Sequence, residues 1–464
     1  MASPAMYPHR RRSLAGPIVL ITIGILFLLK NLGMPIPLFR LFAEWWPLLL
    51  IVVGLVKLVE YYMAKREESY APPLGGGTVA LLIFIIIIGL GVTAAYKVRQ
   101  NVNWGEVRDE VQLDDDFMGL FGNNYTYDQE VAKDLPDNSA VKIVSDRGSI
   151  AVSTWTEKKI RVVVHKRIFA SKQEEAANIN NGTTPQVEIN GTGVTVNANT
   201  QGAGPKGVVS DMEVFLPANV PVEISCRRGD INVNGREADV KVSSSRGDFI
   251  ADQIKGNINA SLRKGSLRAS NITGNITVGD GRLDDLVAMD VNGSVTVNGD
   301  VFGEVKLSKV SKGVSFHSSR TDLEMARLDG ELDMDRGDMR ATNFTGPTNL
   351  TVRSKDVSLE GVSGELRVQG EIGDVTVQLA DKLPLGNVEI NTNKGDIRVT
   401  VPTKANFQLD ANTRRGSFNS EFPEFPNADT DRSPTVVRGS VGKGNSKIVL
   451  STDIGDIDIR KATM

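Results

Sequence analysis

Residues 246–278 read RGDFIADQIKGNINASLRKGSLRASNITGNITV, and this stretch decides the fold. Gly247 and Gly265 lie 18 residues apart, and in each copy a second glycine, Gly256 or Gly274, follows nine residues later. Between the glycines, apolar and polar residues alternate, which is typical of a half-buried strand. Two short strands and two turns in 18 residues therefore predict one coil of a β-solenoid.

The repeat continues on both sides of this stretch. Clear copies begin at 337, 355 and 373, looser ones begin at 229, 395, 416 and 455, and the register slips between 281 and 330. Each glycine tolerates a positive φ, and the Asp or Ser after it has a short side chain that can hydrogen-bond its own backbone. We therefore expect an all-β solenoid domain at 137–464, with coils of 18–22 residues.

The ends of the repeat are less regular than its middle. Residues 141–224 are rich in strands but weakly periodic, with one or two helical turns at 171–179, and we interpret them as atypical first coils that cap the solenoid. Residues 421–443 are rich in Pro, Gly and Asp and predict a mobile loop. The strands at 446–451 and 455–459 are then expected to close the stack.

The first 96 residues have a different composition, dominated by Leu, Ile, Val and Gly. A helix needs about 20 mostly apolar residues to cross a bilayer, and residues 14–32 and 74–96 meet that length. Residues 45–62 carry Lys57 and Glu60 in their second half, so a re-entrant helix is the alternative there. Aromatic pairs at both ends favour a third span, and the sequence predicts a membrane-anchored protein with three transmembrane α-helices.

The basic residues that flank these segments predict the orientation of the chain. Arg10, Arg11 and Arg12 precede the first segment, and Lys65 and Arg66 follow the second. Basic flanks favour the cytoplasmic side. With three spans, an acidic tether at 97–136 and the whole β-domain would lie outside the cytoplasm, whereas a middle segment that does not cross would change the side of the domain.

Charge and cysteine content exclude some classes of protein. The 53 basic and 56 acidic residues are interspersed along the chain, and a nucleic-acid-binding protein would need a concentrated basic face. Cys226 is the single cysteine and cannot form an intramolecular disulfide. We expect it to be a small buried residue in a strand.

Three Arg-Gly-Asp tripeptides begin at Arg228, Arg246 and Arg336 and invite comparison with integrin-binding motifs. They occupy the same repeat position as Lys-Gly-Ser and Ile-Gly-Asp, so we interpret them as turns. One Asp per coil does not supply the ligand set of a calcium-binding β-roll. Residues 114–116, three consecutive Asp, are a slightly better candidate for calcium but are interpreted as part of the solvated tether.

The sequence predicts no catalytic, cofactor-binding or metal-binding residue, and its ligand-binding residues stay unknown. His9, His165 and His317 lie in unrelated settings, and no His, Cys or carboxylate cluster has metal-ligand spacing. Some solenoid enzymes cleave polysaccharides with carboxylates on one face, and the Asp, Arg and Lys column at these turns leaves that alternative open. We expect a protein that is not an enzyme and has no cofactor.

Residues 14–62 resemble the LiaI/LiaF-like transmembrane region of bacterial envelope-stress proteins. The residues that carry the resemblance are Gly16, Gly24, Leu28, Leu29, Gly33, the run Trp46-Pro47-Leu48-Leu49-Leu50-Ile51, and Gly54. The resemblance implies contact with a membrane sensor kinase.

Residues 141–460 resemble the bacterial putative-adhesin β-solenoid family. The carrying features are Arg147-Gly148-Ser149-Ile150, the Leu216-Pro217 step before 220–224, the chain of Gly-Asp turns, and 452–459. The family name implies surface adhesion but supplies no binding residues.

Together these patterns predict a multi-pass protein of the cytoplasmic membrane that presents a non-enzymatic β-solenoid outside the cytoplasm for adhesion or scaffolding. Its expected partners are the lipid bilayer and an envelope polymer or surface protein, and not nucleic acid. One alternative is a LiaF-like regulator of an envelope-stress kinase. The other is a polysaccharide-acting β-helix enzyme.

Overall fold

The structure is a computed structural model that describes residues 123–200, 207–279, 281–428 and 434–462. The expected transmembrane segments at 14–32, 45–62 and 74–96 lie outside these residues. Among the described residues no helix is both long and apolar enough to cross a bilayer. The described chain is almost entirely β-structure, which confirms the all-β expectation for the C-terminal domain.

The first half of the domain contains 20 strands and one helix, which together form its first arm. Their bounds are β1 Asn123–Asp134, β2 Ala140–Arg147, β3 Ile150–Thr154, β4 Lys159–Ala170, α1 Gln173–Gly182, β5 Gln186–Asn190, β6 Gly193–Asn197, β7 Val208–Leu216, β8 Val222–Arg228, β9 Ile231–Asn234, β10 Val240–Ser244, β11 Phe249–Lys255, β12 Ile258–Leu262, β13 Leu267–Thr273, β14 Ile276–Val278, β15 Arg282–Leu283, β16 Leu286–Asn292, β17 Val295–Asn298, β18 Asp300–Val301, β19 Val305–Val310 and β20 Val314–His317.

Successive coils of this arm pair in parallel and build two ladders of strands. Ladder A runs through β2, β8, β10, β12, β14, β17 and β20. Ladder B runs through β3, β9, β11, β13, β16 and β19. Val240 pairs with Ile258, which confirms the 18-residue coil, and alternate side chains of both ladders enter one apolar core. Burying an aliphatic side chain of this kind contributes roughly 1.5–3 kcal/mol.

The slip in the repeat between 281 and 330 has two structural causes. The coils first lengthen by one residue, as the pairing of Leu267 with Leu286 shows, and the short strands β15 and β18 pair with each other in a separate two-stranded sheet. The parallel stack then ends at two long antiparallel strands, β21 Thr321–Met334 and β22 Asp338–Ser354. β21 pairs with β20 of ladder A and with β19 of ladder B. Since β22 pairs along β21, both strands pass through both ladders.

The second half of the domain forms a second arm, which begins on β22. The remaining strands are β23 Asp356–Ser363, β24 Leu366–Ile372, β25 Val375–Leu379, β26 Val388–Lys394, β27 Ile397–Val401, β28 Phe407–Arg415, β29 Phe418–Ser420, β30 Thr435–Val441, β31 Ser446–Ile454 and β32 Ile457–Lys461. Ladder A continues through β24 and β26, and ladder B continues through β23, β25 and β27. Because β21 is antiparallel to β19 and β20 and β22 reverses the direction again, the strands of the second arm run in the same direction as those of the first.

At each end of the solenoid, one coil lies between two coils that are adjacent to it in space but not both adjacent in the sequence. The coil β2–β3 lies between the strands β6 and β7 on one side and β8 and β9 on the other. The coil β31–β32 lies between β26 and β27 on one side and β28 and β29 on the other. Residues 141–224 lie at the end of the first arm, as expected, although they do not stack in chain order. The expectation that 446–459 close the stack was wrong. The outer position is taken at one end by β6 and β7, which follow the inserted coil in the sequence, and at the other end by β28 and β29, which precede it. Such long-range pairing leaves no local sequence signal.

Two other segments differ from the sequence expectations, and a third agrees with them. Residues 123–134, in the expected tether, form β1, which pairs along its whole length with β4 and supports the outer end of the first arm. The helical turns expected at 171–179 are the helix α1. In the expected loop at 421–443, Phe422 and Phe425 are buried against Phe407 and β30 pairs with β28, because apolar side chains hold this segment down.

The repeated glycines are required by the close approach of neighbouring coils. A Cβ atom added to Gly247 would lie 2.1 Å from the carbonyl oxygen of Gly229, and Gly247 has a φ of +133°. The same relation repeats from Gly265 to Gly247 and from Gly395 to Gly373. A side chain at one of these positions would have to displace the backbone of the coil that precedes it in the sequence.

The Asp after each glycine caps the next coil rather than its own turn. The Asp230 carboxylate accepts the backbone N–H of Asp248 at 2.9 Å, and Asp248 in turn accepts the N–H of Ser266 at 2.8 Å. In the second arm, Asp374 and Asp396 accept the N–H groups of Asp396 and Asp456. The expectation that these side chains bond their own backbone was wrong, because a spacing of one coil brings the neighbouring amide closer.

Candidate functional site at the junction of the two arms

The outward side chains of ladder A form a continuous row that crosses the junction. From the first arm to the second, the register aligns Lys142, Glu223, Lys241, Asn259, Thr277, Thr296, Ser315, Glu324, Asn349, Arg367 and Glu389. Neighbouring strands lie about 4.8 Å apart, so these 11 residues span roughly 50 Å. A parallel row contains Ser225, Ser243, Asn298, His317, Asp322, Thr351, Gln369 and Asn391. We call these two rows the polar face.

The outward side chains of ladder B have a different chemistry. Ile250, Arg268, Val287 and Lys306 follow one another in register there, and Ile250 is 39% exposed. This face mixes aliphatic side chains with charges, whereas the middle of the polar face presents hydroxyl and amide groups. The two faces of the solenoid would therefore suit different partners.

A cavity of about 200 Å³ opens at the junction, where β18 and the start of β21 meet the β21–β22 turn. Its apolar wall contains the buried side chains of Val305, Phe316 and Met334, with Phe302 exposed at its edge. Its polar wall is lined by three cations and two carboxylates, which are Arg320, Arg336, Lys355, Asp300 and Asp335.

The two carboxylates of the cavity are held by neutral donors. Asp300 accepts the backbone N–H of Ser319 at 2.9 Å and its hydroxyl at 2.8 Å, and these bonds lower the pKa of Asp300. Asp335 accepts the backbone N–H groups of Asp338 and Gly337, both at 2.8 Å, and these bonds lower its pKa in the same way. Both carboxylates therefore stay ionised without an ion pair to a cavity cation.

The cations of the cavity have few partners of their own. The Arg320 guanidinium makes no hydrogen bond or ion pair with any residue that the structure describes, and only electrostatic interactions reach Asp300 and Lys355. Arg336 donates from Nε to the Phe302 carbonyl at 2.9 Å and lies over the Phe302 ring, 5.6 Å from its centroid. Its two terminal nitrogens are left to face solvent or a ligand.

Lys355 is buried where the repeat places glycine. In its coil, Lys355 occupies the position that Gly373 occupies in the following coil, and it is only 6% exposed. Burial lowers its pKa. Its ammonium group donates to one acceptor, the carbonyl oxygen of Asp335.

Two other buried cations each donate to several acceptors, although Arg236 Nε has no partner among the described residues. Arg236 donates to the carbonyl oxygens of Leu216 and Pro217 at 3.1 and 2.6 Å, and also to that of Val220. Lys166 donates to the Thr183 carbonyl at 2.7 Å and to the Asn180 side chain at 3.0 Å. An ammonium group has three donors, and only the Asp335 carbonyl, among the described residues, accepts one from Lys355, which lines the cavity.

A hydroxyl, a histidine and two carboxylates meet beside this cavity on the polar face. The Ser315 hydroxyl lies 2.9 Å from His317 Nε2, and His317 Nδ1 lies 2.6 Å from Asp322 Oδ1. Glu324 Oε1 lies 2.7 Å from the Ser315 hydroxyl and 3.1 Å from His317 Nε2. From the sequence, His317 was expected to lie in a setting unrelated to those of the other histidines. Its signal was the Ser-x-His and Asp-x-Glu pair across a short turn, which aligns the four side chains only if β20 and β21 pair in antiparallel register.

This group has part of the geometry of a nucleophile and its base but lacks an electrophilic partner. β20 is paired on both sides, with β17 and with β21. Its backbone N–H groups are therefore committed to the ladders and cannot form an oxyanion hole. The Ser315 hydroxyl also has a carboxylate acceptor, which competes with His317 for its proton. The arrangement is more suited to hydrogen-bonding a polar ligand than to acyl transfer.

The structure brings two of the three Arg-Gly-Asp tripeptides together in one turn column. Gly229 and Gly247 stack directly, as expected from the repeat. Gly337 lies instead in the β21–β22 turn. The tripeptide Arg336-Gly337-Asp338 is therefore also part of a turn, as expected, and Asp338 stays in register with Asp356. Its glycine is less closely packed, because the nearest atom to a Cβ added to Gly337 is 3.9 Å away.

The remaining sequence candidates are accounted for by the described residues. Cys226 is buried as expected, and burial raises the pKa of its thiol to about 11. Within the described ranges no group of three or more His, Cys, Asp or Glu could hold a metal ion. His165 lies apart from the junction, paired with Asp128 at 2.8 Å. The Asp114–Asp116 run and His9 lie outside the described residues.

A two-armed parallel β-solenoid with glycine-stacked turns defines the class of this protein. Residues 139–460 match the model of the family described as Toastrack DUF4097, and the chain belongs to that family. Residues 14–58 match a second family model, the LiaI-LiaF-like transmembrane region. Curated proteins contain no match to this chain.

Solved structures with low similarity include three bacterial proteins. One is a putative cell adhesion protein from Clostridium sporogenes, with 13% identity, coverage of 72% of this chain and 100% of that chain, and a TM-score of 0.17. The second is a putative adhesin from Bacteroides fragilis, with 10% identity, coverage of 73% and 97%, and a TM-score of 0.19. The third is a putative lipid binding protein from Parabacteroides distasonis, with 12% identity, coverage of 74% and 98%, and a TM-score of 0.18. At these TM-scores nothing is transferred from them to this chain.

Proposed function

We propose that this protein is a non-enzymatic cell-envelope protein, anchored in the cytoplasmic membrane by its N-terminal segments, whose β-solenoid lies outside the cytoplasm and serves adhesion or scaffolding. The match of residues 14–58 to a transmembrane region supports the anchor. The observation that carries the binding role is the polar face, which keeps its register across the reversal of the chain.

The chemistry of the polar face selects one kind of partner. Its middle section presents Asn259, Thr277, Thr296 and Ser315 in consecutive strands. Hydroxyl and amide groups both donate and accept hydrogen bonds, so they complement the hydroxyl groups of an extended glycan polymer. Binding would be distributed over many weak contacts, which suits adhesion by avidity rather than by one deep pocket.

A matched pair of double variants tests the polar face. In Thr277→Lys/Thr296→Glu, two paired outward residues of ladder A become charged, whereas Ser358→Lys/Thr376→Glu makes the same change on paired residues of ladder B. Opposite charges across neighbouring strands avoid a repulsion that would destabilise the sheet. The full-length protein would be sedimented with purified cell-wall glycan. We expect the first variant to lose retention and the second to keep it. Equal retention of both variants, or no retention of the unaltered protein, would contradict the proposal.

The second candidate function is regulation of an envelope-stress kinase, and the LiaI-LiaF-like match favours it. In that case the N-terminal hairpin would contact the kinase and the solenoid would report envelope damage. Deletion of 137–464 would change expression of the stress regulon while leaving cell attachment unchanged. Adhesion predicts loss of attachment with an unchanged regulon.

A further inference from the structure

We propose that the junction cavity is a binding site for a small phosphate ester, with the phosphate held by Arg320, Arg336 and Lys355 and its apolar group held against Phe316 and Met334. This site does not depend on the glycan-binding role of the polar face. It assigns a ligand class to a place where a buried lysine of the turn column has a single hydrogen-bond acceptor among the described residues.

The charge distribution of the cavity favours an anion. Asp300 and Asp335 are satisfied by backbone amides and a hydroxyl, so they do not neutralise the cations by direct ion pairs. Arg320 is unpaired among the described residues, and the Lys355 ammonium has a single acceptor. A ligand with one carboxylate group would not engage all three cationic groups that line the cavity. A phosphate group matches them better, because it has a higher negative charge and more acceptor oxygens.

The size and the apolar wall of the cavity favour an ester over free phosphate. An engineered cavity of about 150 Å³ is large enough to bind benzene, and this cavity measures about 200 Å³. Val305, Phe316 and Met334 line it and are each at most 5% exposed. A short apolar group would cover this wall, while Phe302, which is 42% exposed, marks the open side.

The departure from the repeat at Lys355 also favours a ligand site. Every other coil of this turn column in the second arm places glycine there, at Gly373, Gly395, Gly416 and Gly455. A buried lysine with one acceptor is costly to the fold. Residues that break the local rule of a repeat are concentrated at functional sites.

The test uses the full-length protein in nanodiscs of phosphatidylcholine and isothermal titration with phenyl phosphate. We expect saturable binding with one site per chain, weaker binding of inorganic phosphate and no binding of benzyl alcohol. Arg320→Ala and Lys355→Met should each weaken phenyl phosphate binding roughly tenfold or more, since each removes a charge-assisted hydrogen bond. Arg268→Ala, an exposed arginine on ladder B, is the control and should change affinity less than twofold.

The outcomes separate a site from surface charge. Absence of saturable binding, or unchanged affinity in Arg320→Ala and Lys355→Met when both variants melt as cooperatively as the unaltered protein, overturns the proposal. Equal weakening by Arg268→Ala overturns it as well. Competition with monomeric dihexanoyl phosphatidylglycerol distinguishes the source: displacement at lower concentration than phenyl phosphate supports a lipid headgroup, and weaker displacement supports a free phosphate ester. Glycan retention is measured separately, so either proposal can fail without the other.

Discussion

The backbone of Gly373 lies directly against that of Lys355, so that a Cβ atom on Gly373 would be 2.0 Å from the Lys355 carbonyl oxygen. Gly373 also has a φ of +132°, a conformation that residues with a side chain rarely adopt. The same pair therefore explains why glycine recurs at this turn and marks the coil where lysine replaces it.

Gly373→Ala should strongly destabilise the domain. The strained φ and the clash with the next coil each cost about 1–3 kcal/mol, so we expect a loss of roughly 3 kcal/mol or more in the free energy of unfolding. Gly337→Ala is the matched control, because it alters another Gly-Asp step with open space around it. Chemical denaturation of both variants measures the difference, and equal stabilities would mean that the coils do not stack this closely.

Asp396→Ala should destabilise the second arm by about 1–2 kcal/mol, because it leaves the Asp456 N–H without its acceptor. Asp396→Asn should retain most of the stability, since Asn257 caps the N–H of Asn275 in the same way at 3.0 Å. Calcium should change the melting temperature of neither protein. A calcium-dependent rise in melting temperature that disappears in Asp396→Asn would show that the carboxylates bind the ion instead of the backbone.

Lys355→Met should stabilise the protein at pH 7 by about 1 kcal/mol or more while it weakens phosphate-ester binding. Burial lowers the pKa of Lys355, so the folded state binds fewer protons than the unfolded state at alkaline pH. The stability of the unaltered protein therefore rises with pH between the lowered pKa and the unfolded value near 10.4, and the advantage of Lys355→Met shrinks over that window. Thermal unfolding of Lys355→Met and of the unaltered protein from pH 7 to pH 10 measures this trend. If Lys355→Met were less stable than the unaltered protein at pH 7, the ammonium group of Lys355 would not be incompletely hydrogen-bonded.

His317→Ala and Ser315→Ala should have no effect on hydrolysis, because the paired backbone around them cannot stabilise an oxyanion. Full-length protein would be assayed with p-nitrophenyl acetate and with a soluble cell-wall glycan. We expect rates equal to those of buffer for the unaltered protein and for both variants. Turnover that is lost in His317→Ala would establish an enzyme and remove the non-enzymatic part of the proposed function.

The local repeat was predictable from the sequence, and the long-range pairing was not. The glycines at 247 and 265, with apolar residues alternating between them, specify one coil and its length. The reversal at β21 and β22 uses the same alternation of side chains in an antiparallel pair, so no periodicity distinguishes it. The insertion of β31 between β26 and β28 depends on contacts between distant segments and is likewise invisible in the chain order.

The junction was only partly predictable for the same reason. The slip in the repeat between 281 and 330 indicated where the stack changes, and Lys355 stood in the sequence as a break in the glycine column. The approach of Arg320, Arg336 and Lys355 to one cavity follows from the antiparallel pairing of β21 with β22. The antiparallel pairing of β20 with β21 aligns Ser315, His317, Asp322 and Glu324.

An extracytoplasmic solenoid can be distinguished from a cytoplasmic one by chemical labelling of intact cells. Ser243 is an exposed residue of the polar face, and the buried Cys226 should give little background labelling. A membrane-impermeant maleimide would be applied to intact spheroplasts that express Ser243→Cys, with the unaltered chain as control. We expect labelling of Ser243→Cys before lysis and none of the control. Labelling of Ser243→Cys only after lysis would place the domain in the cytoplasm and contradict the proposed function.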